Sequence, residues 1–371
     1  MDELYTRILR NLMSTPSNTE IVTTILRWVI CASRPLTVEE LKEALRLDIG
    51  EVLLLLEKTA SSICGNFVYV DSQRKVRPAH QTVREHLYRE THLDDFAIQR
   101  TQAHSRIAEV CLAYLQSEEM KTPRYRRGSL ASRQRKRSPF ADYATRHFSD
   151  HIARSSSSID SQLLNLDAFL QTNSPTWLEI VATNQDLGSV IRTAKNLKAY
   201  LERRAKYQAP IGKEIQRVSG WASDLIHLVA LFGRVMITSP SAIHLLIPPI
   251  CPADSIIHDA FGDALRGLRL VGLSESHWDD RLCCIIFPEA QTLSVACRDN
   301  KYALGLSNGL IHLYDETSFQ LHSKLLHGEP VRVLSFGTIN TYIASAGKKK
   351  IRLWNSSTAV QLWAVDITNQ P

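Results

Sequence analysis

Two stretches near the C-terminus repeat each other at an offset of about 40 residues, a period that restricts a chain to stacked or radial repeat architectures. Tyr302-Ala303-Leu304-Gly305 followed by Leu310-Ile311-His312-Leu313-Tyr314-Asp315 is echoed by Tyr342-Ile343-Ala344-Ser345 followed by Lys350-Ile351-Arg352-Leu353-Trp354-Asn355. Each unit predicts short alternating strands ending in an aromatic-acid or aromatic-amide pair. His327-Gly328 opens the second unit, and Val331, Val333 and Phe336 alternate behind it. Such arrays need about three units or more to bury a continuous core. Two fit before Pro371, so the chain is expected to be part of something larger, with weak stability beyond Leu282 in isolation.

The apolar share of 44% supports sizeable cores and two or three domains. The formal charge of +6 comes from one segment, 121–137, which holds Lys121, Arg124, Arg126, Arg127, Arg133, Arg135, Lys136 and Arg137 and no acid. With Pro123, Gly128 and Ser129 it reads as a solvated loop; a nuclear-import patch or a phosphorylation site at Ser129 is the functional alternative. The seven cysteines are odd in number, scattered and never spaced Cys-x-x-Cys. They predict core thiols in a reduced, cytoplasmic setting. No secretory signal opens the chain, and the apolar stretch 225–250 is broken by Arg234, Pro240, Pro248 and Pro249, so no membrane partner is expected.

The N-terminal part reads as helix from Asp2 through Leu9 and again from Ile21 through Val29. Thr37 with Glu40 predicts a capping box, and Leu36 can staple against Leu41. A helix to Leu47, a third from Gly50 to Ser62, and the strands Phe67–Val70 and Val76–Ala79 predict a winged helix. Its third helix carries Glu51 and Glu57 where base and phosphate contacts need basic or amide side chains, so duplex DNA is not an expected partner.

Three motifs in order, Leu4-Tyr5-x-x-Ile8-Leu9, Ile25-Leu26-Arg27-Trp28-Val29-x-x-Ala32-x-Arg34-Pro35-Leu36-Thr37-x-x-Glu40-Leu41 and His80-Gln81-Thr82-Val83-Arg84-Glu85-His86-Leu87, resemble the end of the NACHT module of fungal signalling NTPases of the heterokaryon-incompatibility type. The helical connector of that family is similar to Pro139-Phe140-Ala141-x-Tyr143-Ala144-x-Arg146-His147-Phe148, Trp177-Leu178-Glu179 and Ile237-Thr238-Ser239-Pro240-x-x-x-His244, and the C-terminal units resemble WD-repeat blades. The resemblance divides the chain into the end of a NACHT-type module (1–20), a winged helix (21–93), a helical connector (94–275) and two WD-repeat-like blades (282–371). It implies a regulatory switch segment for sensing or self/non-self recognition, with protein partners held by blades around Tyr314, Asp315, Trp354 and Asn355. It further implies that His80 touches a nucleoside diphosphate, in a longer chain that carries a P-loop; otherwise His80 ends the wing and caps a helix. The alternatives are a stand-alone scaffold that binds a protein partner, a nuclear one included, and one part of a working NTPase. WD-repeat blades usually tie a hydrogen-bonded network with an Asp in the turn before the aromatic strand; here Asn308 and Lys348 occupy those positions.

No catalytic constellation stands out. Gly347-Lys348 lacks the remaining residues of a phosphate-binding loop. His147 and His151 lie one helical turn apart without a third ligand, Asp94-Asp95 and Asp279-Asp280 sit in polar stretches, and no Gly-x-Ser-x-Gly elbow is present. The expected chain is thus an α+β, non-enzymatic protein without a cofactor of its own: winged helix, helical connector, incomplete propeller.

Overall fold

The structure, a computed structural model, describes residues 2–12, 16–53, 55–88, 98–121, 137–207, 212–262, 272, 275–279, 285–299, 301–315, 320–338 and 341–367. By internal contacts it divides into a unit of residues 1–224 and 240–277 and a unit of residues 225–239 and 278–371. The basic run, apart from Lys121 and Arg137, lies outside the described residues, as do Asp94, Asp95, Asp280, Cys283 and Cys284.

The first unit opens with α1 (Asp2–Leu12), α2 (Pro16–Cys31), α3 (Val38–Ile49) and α4 (Leu56–Ile63), then a hairpin of β1 (Val68–Val70) and β2 (Val76–Pro78), then α5 (Gln81–Leu87). This is a winged helix. Thr37 caps α3 with both bonds of the box: Glu40 N–H donates to its hydroxyl at 3.2 Å, and Thr37 N–H donates to the Glu40 carboxylate at 2.8 Å. Gly50 ends the helix in the left-handed region at φ 76°, a conformation that a β-carbon disfavours. The chain is non-helical over Glu51–Leu53, so α4 starts later than the helix expected from Gly50, and Glu51 lies outside it. Val76 N–H donates to Leu36 O at 2.8 Å and Val38 N–H to Arg74 O at 2.9 Å, which adds a third edge to the wing. Helix α1 belongs to this packing: the Tyr5 ring meets Phe67 edge-on at 5.5 Å.

The helices that follow are α6 (Arg100–Leu115), α7 (Ala141–Ile152), α8 (Asp160–Thr172), α9 (Ser174–Thr183), α10 (Leu187–Arg204), α11 (Lys213–Thr238), α12 (Ala242–Leu245) and α13 (Ile256–Phe261). Buried aromatic rings join them to the winged helix. Trp28 packs edge-on against Phe140 at 5.6 Å and Tyr143 at 5.9 Å, and Phe148 against Phe169 and Trp177. Each fully buried ring of this size contributes about 1.5–3 kcal/mol of transfer free energy. The polar ends are satisfied too. Trp28 Nε1–H donates to Asp48 at 3.0 Å, and Arg106 of α6 donates to the other oxygen of that carboxylate at 2.7 Å, so one buried acid ties α2, α3 and α6. Arg34 holds Glu40 through both guanidinium nitrogens and reaches Asp142 of α7 at 2.9 Å.

By length and composition α11 could span a bilayer; 44% of its apolar window is buried inside the protein, including Trp221, Leu225, Leu228 and Val229. Asp224, in its middle, is also buried and accepts from Ile257 N–H. Gly220 admits Ile256 so closely that a β-carbon there would lie 2.3 Å from its side chain.

The second unit holds two four-stranded antiparallel sheets in simple meander order. The first runs β3 (Thr292–Arg298), β4 (Lys301–Leu306), β5 (Leu310–Asp315), β6 (Leu321–Leu326); the second runs β7 (Val333–Phe336), β8 (Tyr342–Ala346), β9 (Lys350–Asn355), β10 (Gln361–Asp366). Tyr302 pairs with Tyr314 in the first sheet and Tyr342 with Asn355 in the second, so the register of the central hairpin differs by one residue between the two repeats. Ala303, Ile311, Leu313, Leu325, Val331, Ile343 and Trp354 form one apolar core.

Candidate functional site

Each blade is closed differently. In the second, Trp354 Nε1–H donates to Ser345 Oγ at 2.8 Å, and Ser345 Oγ lies 2.9 Å from His327 Nδ1, all three buried. Lys348 supplies no acid, but Glu329 does. Its carboxylate accepts from Lys349 N–H at 2.9 Å and Lys350 N–H at 2.7 Å, and stands 3.7 Å from His327 Nε2. Burial opposes its charge, yet those two amides hold the carboxyl below its usual range. Burial, reinforced by Arg352, likewise holds His327 below the ordinary imidazole value, so it is neutral at pH 7. Gly347 makes room: a β-carbon there would lie 2.3 Å from Glu329 Oε1. The first blade has Gly305 at the position of Ser345, and Ser294 Oγ fills that space while donating to Val331 O at 2.8 Å.

Tyr314 and Trp354 are therefore buried structural residues, Tyr314 stacked on Tyr302 at 5.0 Å. Asn355 Oδ1 accepts from Ser357 and Thr358 N–H and shapes a turn. Residues that a partner can reach are neighbours of these: Leu293 and Val295 on β3, Val333 on β7, and Leu362, Trp363 and Val365 on β10 are exposed.

His80 is exposed and caps α5, its Nδ1 accepting from Thr82 N–H at 3.2 Å. His147 and His151 point to different partners. His147 Nδ1 pairs with Asp150 at 3.0 Å, whereas His151 lies in a buried chain reaching back to the winged helix. Glu179 and His244, far apart in sequence, meet at 3.1 Å.

That buried chain runs Ser33, Tyr143, His151, His104. Ser33 N–H donates to Tyr143 Oη at 3.0 Å, Tyr143 Oη lies 2.7 Å from His151 Nε2, and the two Nδ1 atoms of His151 and His104 are 2.9 Å apart. Two neutral arrangements satisfy these contacts: Tyr143 donates to His151 Nε2 and His151 Nδ1–H to His104 Nδ1, or both bonds run the other way. Burial lowers both imidazoles, His104 to about 4 with Arg154 and Arg100 adding to the effect, so the chain is neutral.

His104 lines a cleft of about 1050 Å³, together with Ser33, Arg84, Glu85, Tyr88, Arg100 and Arg154. Tyr88 Oη–H donates to Ile30 O at 3.0 Å, and its ring carries the Arg100 guanidinium at 4.2 Å and that of Arg84 at 5.5 Å. The cleft assembles from local signals that sequence reading passed over, because its residues come from three distant stretches.

Residues 10–99 match the family model for the winged helix domain of GPI inositol-deacylase. No curated protein matches the chain. Among solved structures, the crystal structure of Saccharomyces cerevisiae Sqt1 is similar over 23% of this chain, at 21% identity and a TM-score of 0.20. The chain spans 24% of that structure's own length.

Proposed function

We propose that this chain is a non-catalytic regulatory and protein-interaction segment of a fungal NACHT and WD-repeat signalling protein, acting in the cytoplasm in sensing or self/non-self recognition. The observation that carries the reading is the exposed apolar surface of the two sheets. Val295 is 59% exposed and Trp363 51% exposed, and every residue of β10 faces solvent, an arrangement suited to holding another polypeptide. The order of winged helix, helices and WD-type sheets supports the same reading. On the wing, Arg74 is paired with Glu57 and Glu39, and Arg77 with Asp71, which favours protein over duplex DNA as partner. A nucleotide enters only where a P-loop domain accompanies the chain, with His80 as its contact.

The test is long-read sequencing of the transcript combined with partner capture. An in-frame P-loop upstream, and a specific partner lost on Val295→Asp or Trp363→Asp with the fold intact, are the expected results. A message without a P-loop, or a partner indifferent to both substitutions, overturns the reading.

A further inference from the structure

The cleft beside α5 and α6 has a composition that the protein-interaction reading does not use. We propose that it binds the phosphate group of a small ligand. Arg34, Arg106 and Arg217 each hold a carboxylate, whereas Arg84, Arg100 and Arg154 have no carboxylate partner among the described residues and share one open space. Three like charges gathered this way repel one another unless an anion joins them. Tyr88 fixes two of them by stacking, which lowers the ordering cost of binding.

Two neutral donors complete the wall. Ser33, whose Oγ is buried, lines the cleft beside Tyr143. His104 adds an Nε2–H donor in the arrangement in which Tyr143 donates to His151, and an anion in the cleft selects that arrangement. Guanidiniums, a hydroxyl and an imidazole N–H together offer more donors than the roughly four lone-pair sites of one carboxylate can accept, whereas a phosphate dianion has three terminal oxygens and up to two charges. Among the described residues Glu85 is the one acid on this wall, and it opposes the anion. At about 1050 Å³ the space exceeds a bare phosphate and leaves room for an organic body against Tyr88 and Ala32.

The test is isothermal titration calorimetry of the full chain with inorganic phosphate and with phenyl phosphate at constant ionic strength. Saturable one-site binding is expected. The double variant Arg100→Gln, Arg154→Gln is expected to weaken it at least about tenfold, and Ser33→Ala several-fold. Glu85→Gln should tighten it, a change of sign that a merely structural disturbance would not produce. Arg74→Gln, on the wing, is the control and should leave affinity unchanged. Tighter binding of phenyl phosphate assigns the site to a phosphomonoester, equal binding to phosphate itself. No saturable heat with either probe, or equal affinity in the double variant and the control, overturns the proposal. The exposed positions of Arg100 and Arg154 make loss of fold an unsuitable explanation, and circular dichroism of each variant checks it.

Discussion

At Glu329 one carboxylate accepts from two successive turn amides, so its removal hands the exposed Lys349 N–H to solvent and takes the acceptor from the partly buried Lys350 N–H. Glu329→Ala is expected to destabilise the second unit by about 1.5–3 kcal/mol, read as a lower urea midpoint and faster hydrogen exchange at those two amides. Gly347→Ala should act through the same carboxylate, because the new methyl group occupies its place. Exchange rates unchanged in both variants would remove Glu329 from that role. The buried histidines give a pH prediction. Their folded values lie below the ordinary 6.5, so the unfolded chain binds protons first, and stability is lost as pH falls below about 6.5. For His104, with a folded value of about 4, the slope approaches about 1.4 kcal/mol per pH unit between pH 6 and 5, and His151 adds to it in the same direction. His104→Asn, which keeps a group at the Nδ1 position, should roughly halve that slope in urea unfolding measured between pH 7 and 5.

Helix α3 shows how a local signal becomes a tertiary one. Its capping box makes Glu40 the N-terminal acid, and Arg34 then uses the same carboxylate, together with Asp142, to fasten α7. Thr37→Val removes one cap bond and is expected to be destabilising by about 1 kcal/mol. Arg34→Lys should have the larger effect, because an ammonium cannot span both Glu40 oxygens while reaching Asp142. Thermal melts in which the lysine variant matched the wild type would exclude the double attachment. Burial opposes ionised Glu40, but Arg34 and the Thr37 amide lower its carboxyl below 4.5, so this contribution is present at neutral pH and disappears as acid protonates it.

Across the whole molecule, what is legible in the sequence is what is local. The Thr37–Glu40 box, the wing hairpin and the C-terminal strands β4, β5, β7, β8 and β9 announce themselves by spacing and alternation within a few residues. The helix expected from Gly50 begins late, since a glycine that ends one helix in the left-handed region cannot also start the next. The cleft and the histidine chain were illegible for another reason: His104 and His151 are 47 positions apart, and only folding brings them together. Glu329 escaped notice because the turn it serves lies 20 residues further on. The exposed sheet surface yields a prediction at this scale. Val295→Asp and Trp363→Asp should each leave the urea midpoint within about 0.5 kcal/mol of wild type while reducing self-association in light scattering. A further consequence lies in how the two blades are joined. Ser294 of the first is tied to Val331, and the turn at Gly309 accepts from His327 and Gly328, so residues that open the second repeat finish the first. The unit that repeats in the gene is therefore not the unit that closes in space. Recombination that duplicated or deleted one such unit with a breakpoint between Leu326 and Val331 would split a segment that serves both blades, since its backbone closes the turn at Gly309 while His327 and Glu329 close the second blade.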